Sequence, residues 1–212
     1  SSTVALLAAD RPPILAMDTA ARLEPAECAQ VLADLGYAGL GGRPASAKAH
    51  ASALQTKGLV FFNGYHVTNF GYGQTELPGD LTKVVDDLAG TGSTLWLGIN
   101  KVAFPAGVKA GPEYGDTIVL PQLKQLLAHA KPKGVKVSLY PHTGFWAAQF
   151  EVCLRVAAKV DDPNLGVTFN LCHFLKVQPA DDLRATLEAA KPLLWSISLC
   201  GADAGGKDWN TL

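Results

Sequence analysis

One stretch limits what this chain can fold into more than any other. From Val135 to His173 it reads strand, loop, helix, turn, strand. Val-Lys-Val-Ser-Leu-Tyr-Pro-His (135–142) and Leu-Gly-Val-Thr-Phe-Asn-Leu-Cys-His (165–173) flank a segment, Phe145 to Val160, in which Phe145, Ala148, Val152, Val156 and Val160 fall at helical spacing. Asp161-Asp162-Pro163-Asn164 ends that helix. The whole is one βαβ unit. Parallel neighbouring strands lie about 5 Å apart and finish on the same face, so the pattern predicts that His142, Asn170 and His173 converge there.

The rest of the chain repeats this alternation. Ile14 to Met17 is a short apolar strand followed by Asp18-Thr19. Glu24 to Leu35 has helical periodicity, with Pro25 near its start and Gly36 as its cap. Tyr37 to Leu40 reads as a second strand, and Gly41-Gly42-Arg43-Pro44 turns into an Ala-rich helix ending near Thr56. Leu59 to Gly64 is a third strand. Tyr65 to Gly79, with His66, Asn69, Tyr72 and several glycines, reads as a long loop, either substrate-facing or a plain connector. Asp80 to Leu88 is a helix with Asp80 at its N-cap, and Thr94 to Ile99 is a strand ending in Asn100-Lys101. A loop from Phe104 to Gly115 leads to a helix from Asp116, its cap, to Lys131; a helix from Asp181 to Ala190 and a strand from Leu193 to Cys200 follow the central unit. Strand-helix alternation of this kind implies parallel strands joined by crossovers. This many units, with polar residues gathered in the βα loops, favours a (β/α)8 barrel over an open sheet. Seven strands are legible.

Composition narrows the partners. At 212 residues and 48% hydrophobic content the chain can bury a full core, and its length fits one domain, 14–212, behind a leader or extension, 1–13. Eighteen basic against nineteen acidic residues leave no electrostatic footprint for nucleic acid or an anionic membrane. No apolar run is long enough to span a bilayer. Cys28, Cys153, Cys172 and Cys200 form no CxxC pair, and small buried thiols are their default reading. Ser1 to Ala9 reads either as an exposed lead-in or as the tail of a secretory signal. The location is periplasmic or secreted in the second case and cytoplasmic in the first.

The phrases Val-Ser-Leu-Tyr-Pro-His, Gly-Val-Thr-Phe-Asn-Leu-Cys-His and Trp-Ser-Ile-Ser-Leu-Cys-Gly-Ala-Asp, with the order and spacing of the elements, resemble the xylose-isomerase-like TIM barrels. That sugar phosphate isomerase/epimerase family also includes the AP-endonuclease-type enzymes. The likeness covers essentially the whole chain and implies a (β/α)8 barrel, with the last βα unit absent from this sequence. The open edges would then be closed by residues outside it, by a swapped partner in a homo-oligomer, or by the N-terminal segment.

Many members of that family hold a divalent metal. Carried over position by position, the resemblance puts Tyr140 where a strand-five Glu belongs and keeps His142; it puts Asn170 where a strand-six Asp belongs and keeps His173. A His of the seventh strand falls on or near Ser198, and a Glu of the eighth lies beyond Leu212. Hard divalent ions want carboxylate charge, which a Tyr and an amide do not supply. The cofactor expectation is therefore either none or a divalent metal of unassigned identity, held by His142, Asn170 and His173 if by any residues. The family's proton transfer beside a carbonyl would fall to His142 and His173, since imidazole titrates near pH 6.5, with Asn170 as a hydrogen-bond donor.

Substrate-binding candidates are Tyr140, Trp146, His66, Asn100 and Lys101. Trp146 is the best placed of Trp96, Trp146, Trp195 and Trp209 to stack on a sugar. Lys101 reads as a Schiff-base or sugar contact or as a solvated loop lysine. His50 and His129 sit in helices and read as surface residues. Gly39 to Arg43 reads as a tight βα turn or as an anion-cradling loop. The function expected is an isomerase, epimerase or related lyase acting on a small carbohydrate. The alternatives are a non-catalytic barrel that binds sugar or a partner protein and, behind it, a nuclease.

Overall fold

Seven strands lie side by side in chain order, each parallel to the next, in a computed structural model describing residues 12–17, 23–108 and 112–200. They are β1 (Leu15–Met17), β2 (Gly39–Gly42), β3 (Val60–Gly71), β4 (Thr94–Ala103), β5 (Lys136–Leu139), β6 (Leu165–Asn170) and β7 (Leu194–Ser198). Between them run α1 (Pro25–Asp34), α2 (Ala47–Gln55), α3 (Gly79–Leu88), α4 (Pro112–Ala130), α5 (Phe150–Val160), α6 (Leu171–Val177) and α7 (Leu183–Ala190). The sheet is an open half-barrel. Among the described residues no strand pairs with the outer edge of β1 or of β7. Ile14 beside one edge and Ile197 and Leu199 at the other are exposed.

Period-two alternation decides what each face carries. Leu95, Leu97 and Ile99 of β4, Val137 and Leu139 of β5, and Leu165, Val167 and Phe169 of β6 are buried in one apolar core with Leu81, Val85 and Leu88 of α3, Leu123, Leu126 and Leu127 of α4, and Phe150, Cys153 and Val156 of α5. Phe150 meets Phe169 edge-on at 5.2 Å. The intervening residues line the inner face, where the strands present polar groups instead of the branched aliphatics that usually fill such barrels. Ser138 Oγ lies 2.7 Å from Thr168 Oγ1, which lies 2.8 Å from Ser196 Oγ, a row of hydroxyls across β5, β6 and β7. One layer higher, Tyr140, Asn170 and Ser198 form a second row.

Several elements depart from the sequence reading. The third and fourth strands run on to Gly71 and Ala103, so His66 and Asn69 lie in a strand and not in a loop, and Asn100-Lys101 lie within β4. The two strands pair along this extension, Asn69 with Lys101 and Gly71 with Ala103. Polar residues at exposed positions of the extension disguised a strand as a loop, while Thr68, Phe70 and Val102 are buried on its other side. The central helix starts at Phe150, not Phe145. Residues 142–147 instead form a loop closed by His142 N–H on Ala147 O at 3.3 Å and tied to the end of β4, where Trp146 N–H donates to Asn100 O at 2.8 Å and Ala147 N–H to Ile99 O at 3.4 Å.

Asp116 is no cap, because its helix begins at Pro112; its buried carboxylate takes Arg155 Nε at 3.0 Å and Lys159 Nζ at 2.7 Å. Asp80 sits in the first turn of α3 behind Pro78, which occupies the cap. His50 is buried, not at the surface, with Nδ1 3.0 Å from Ser46 O. Ser1 to Ala9, Asp18-Thr19 and Trp209 to Leu212 lie outside the described residues.

Candidate functional site

The ends of β5 and β6 bring His142, Asn170 and His173 together. Asn170 ends β6 and caps α6: its Oδ1 accepts the His173 N–H at 2.9 Å. A side-chain oxygen at that position satisfies one of the helix's otherwise orphaned donors. The amide's other end donates to Tyr140 Oη and, at 3.2 Å, to Ser198 Oγ. Asn170 is thus fully engaged and only 5% exposed. It positions its neighbours and has no donor left for a ligand.

The two histidine rings lie against each other at a tilt of 43° with centroids 3.9 Å apart, and hydrogen bonding divides their roles. His142 Nδ1 lies 2.8 Å from Thr143 O. A carbonyl only accepts, so Nδ1 carries the proton, and in the neutral ring Nε2 holds the lone pair. His173 shows the opposite arrangement. The Thr143 backbone N–H donates to its Nδ1 at 3.3 Å, which makes Nδ1 the acceptor and puts the proton on Nε2. His173 is 4% exposed, and burial, then His142 and Lys176, push its pKa down to about 4. It is a neutral ring at physiological pH. His142 is half-buried and stacks on Phe145 at 4.2 Å.

Aromatic rings form the floor. Tyr140 stacks on Trp96 at 5.3 Å and meets Tyr65 edge-on at 5.1 Å. Burial raises the Tyr140 phenol against the lowering pull of its bonds to Ser198 and Asn170, and burial, with Tyr140 beside it, raises Tyr65 to about 12. Both phenols keep their protons. Gly98 faces the same space, where a Cβ would sit 2.9 Å from the Phe145 ring.

The other candidates disperse. His66 Nε2 pairs with Asp80 Oδ2 at 3.0 Å, Asn100 donates to Asn69 at 3.0 Å, and Lys101 is exposed, all on the β3–β4 extension. Trp146 packs its indole on α4, where a Cβ on Gly115 would lie 2.6 Å from its Nε1, and that nitrogen is buried without a partner. It braces the loop that carries His142. Trp195 covers Gly166, with Lys136 Nζ 5.3 Å above its ring. His129 lies at the surface beside Asp86.

Sequence reasoning missed Thr143 and the hydroxyl row, and it set Trp146 ahead of Trp96 as the stacking ring. The row had a signal in the alternation of Ser138 with Tyr140, Thr168 with Asn170, and Ser196 with Ser198; Thr143 had none. No group of three or more His, Cys, Asp or Glu side chains that could hold a metal ion occurs among the described residues. The donors at the strand ends, a phenol, a hydroxyl and an amide whose oxygen is already bound, do not fit a hard divalent cation.

Seven consecutive parallel strands with polar residues gathered at their C-terminal ends define a member of the TIM-barrel class. The chain belongs to the xylose isomerase-like TIM barrel family, whose model matches residues 93–204. Solved structures share the fold. The 3-keto-D-glucoside 4-epimerase YcjR from E. coli is 14% identical, with a TM-score of 0.69 over 88% of this chain and 78% of that one. The probable 3-DHS dehydratase AsbF from Bacillus anthracis is 10% identical, with a TM-score of 0.63 over 88% and 72%. The D-allulose 3-epimerase from Methylomonas sp., in complex with D-allulose, is 16% identical, with a TM-score of 0.63 over 82% and 65%. No curated protein matches the chain in sequence. No described helix is long and apolar enough to cross a membrane.

Proposed function

We propose that this chain binds a carbohydrate or sugar-derived ligand over the ends of β3 to β6 and moves a proton beside the ligand's carbonyl. The observation that carries this reading is the tautomer of His142. With Nδ1–H held by Thr143 O, Nε2 of this half-buried ring carries the lone pair that a general base uses. In the step, Nε2 takes the proton from the carbon next to the carbonyl. The C–H electrons form the enediolate double bond, and the developing oxyanion accepts a hydrogen bond from Tyr140 O–H. Return of the proton to the former carbonyl carbon, with the hydroxyl proton passing from the second oxygen to the first, isomerises the sugar, and return to the other face of the original carbon epimerises it.

Asn170 and His173 are positioning residues: the amide aims the Tyr140 hydroxyl, and His173 holds the Thr143 backbone. Trp96, Tyr65 and Tyr140 offer the aromatic faces on which sugar C–H groups pack. The fold's likeness to sugar epimerases supports the substrate class.

Hydrogen exchange tests the chemistry. In D2O with a panel of ketoses and keto-glycosides, the protein should wash deuterium into the position beside the carbonyl, as seen by NMR. His142→Gln should lose at least a hundredfold, while unfolding within about 1 kcal/mol of the parent. Absence of exchange with every sugar, alongside calorimetric binding of one of them, would establish instead the non-catalytic sugar-binding barrel. That second reading is favoured by how tightly Asn170 and His173 are tied into structural bonds.

A further inference from the structure

The pairing of β3 with β4 slips by one residue near the rim of the half-barrel. Thr68 pairs with Ile99 and Asn69 with Lys101, so Asn100 is the extra residue of a β-bulge. A bulge re-aims side chains, and this one breaks the alternation of β4. Ile99 and Val102 are buried in the core against the helices, which leaves the successive residues Asn100 and Lys101 together on the opposite face. Trp96 and Gly98 share that face with the aromatic floor, and Tyr65 Oη lies 3.5 Å from where a Cβ on Gly98 would be. On β3, Asn69 lies on the same side as Tyr65, because its neighbours Thr68 and Phe70 are buried on the other. The backbone ties this point to the site: Asn100 O accepts the Trp146 N–H at 2.8 Å, from the loop that carries His142.

Asn100 Nδ2 donates to Asn69 Oδ1 at 3.0 Å, the one side-chain hydrogen bond either residue makes among the described residues. Two amides joined once keep one carbonyl oxygen and one NH2 group outside the bond, here Asn100 Oδ1 and Asn69 Nδ2. Turning both amides over exchanges the two roles and leaves the same set. Asn100 is half-buried and Asn69 exposed, so the pair stands at the mouth above the floor.

We propose, on the carbohydrate reading above, that Asn69 and Asn100 are a specificity subsite for two hydroxyls on adjacent carbons, beyond the carbons between which the proton moves. In a ketohexose these are the C4 and C5 hydroxyls. One hydroxyl donates to Asn100 Oδ1 and its neighbour accepts from Asn69 Nδ2, a match that uses the double character of the hydroxyl group. A phosphate or carboxylate only accepts and would set its charge against Asn100 Oδ1, so the amide pair selects a neutral diol. Lys101, exposed on the same face, can donate to a hydroxyl oxygen and is the group there that favours an anion. Neither amide takes part in proton transfer. Their effect falls on binding, not on the chemical step.

The experiment is calorimetric titration of the full chain with D-fructose, D-tagatose, D-allulose and D-sorbose, and then of the tightest of these against its 4-deoxy and 5-deoxy analogues and its 6-phosphate. The parent should bind the sugar about tenfold more tightly than either deoxy form, and the phosphate no more tightly than the sugar. Asn69→Ala and Asn100→Ala should each weaken the sugar about tenfold and bind sugar and deoxy forms within about twofold of one another, with an unchanged urea midpoint. Deuterium exchange at saturating sugar should stay within about twofold in both variants while the half-saturating concentration rises about tenfold. Equal affinity of the parent for the sugar and both deoxy forms, discrimination that survives in both variants, a preference for the phosphate that Lys101→Ala abolishes, or no binding of any of the ketohexoses overturns the subsite. Discrimination without deuterium exchange leaves the subsite standing and removes only the proton-transfer reading; exchange without discrimination does the reverse.

Discussion

The ends of β5 and β6 and the extension of β3 and β4 carry similar residues, histidine, asparagine and a nearby base or acid, yet they are built differently. At the first, Tyr140, Asn170, Ser198, His173 and Thr143 share one buried network in which the asparagine serves three partners. At the second, His66 with Asp80 and Asn69 with Asn100 are separate pairs near solvent. Residue type is the same and connectivity is not. A hydrogen bond in water exchanges with solvent at little net gain, whereas a buried one cannot be given up without stranding its partners.

The largest expected effect follows from that contrast. Asn170→Ala removes a helix cap and two donors at once and should cost about 3 kcal/mol, read from urea unfolding, whereas Asn100→Ala should stay within about 0.5 kcal/mol. Equal costs would erase the distinction between the two regions.

His173 sharpens it through pH. The unfolded ring takes a proton near its ordinary 6.5 and the folded one only near about 4. Its contribution to stability is therefore complete above pH 6.5 and drains away as pH falls toward 4, by up to about 3 kcal/mol. Asp116, whose carboxyl is lowered by its bonds to Arg155 and Lys159 in spite of burial, acts in a separate window below its ordinary 3.8. Subtracting the stability curve of His173→Asn from that of the parent should isolate the 6.5-to-4 segment; a flat difference there would mean that the ring titrates normally.

Smaller still, Thr168→Val keeps shape but deletes two buried hydroxyl contacts and should cost about 1.5 kcal/mol by the same assay. Smallest are His66→Ala and Lys101→Ala, each expected within about 0.5 kcal/mol in thermal unfolding. A cost above 1 kcal/mol for either would show that the extension is more tightly knit than its pairs suggest.

What could be read in advance follows the same physics. Parallel strands, their order along the chain and the meeting of His142 with Asn170 and His173 came from apolar periodicity and from the rule that parallel neighbours end together. Three things were not legible. The strand hidden in residues 65–71 carries polar side chains on its open side, so local composition pointed to a loop. The helix at 171–177 is too short for its period to declare itself, although Asn170 three residues before His173 is a capping pattern. The division of labour between the histidines depends on Thr143, which offers its carbonyl to one ring and its N–H to the other. No spacing rule contains that.

The hydroxyl row across β5, β6 and β7 has one more property. Thr168 owns a single proton but has two hydroxyl neighbours, so it can give to Ser138 or to Ser196, never to both. If Ser196 turns its proton inward, Thr168 is free to turn toward Ser138; if Ser196 turns outward, Thr168 must follow it or accept from Ser138 alone. Ser138 is sealed at 0% exposure, while Ser196 stands half-buried on the edge strand. Whatever meets that edge therefore sets the orientation of a dipole two strands away, by rotation of O–H bonds alone and with every heavy atom left in place.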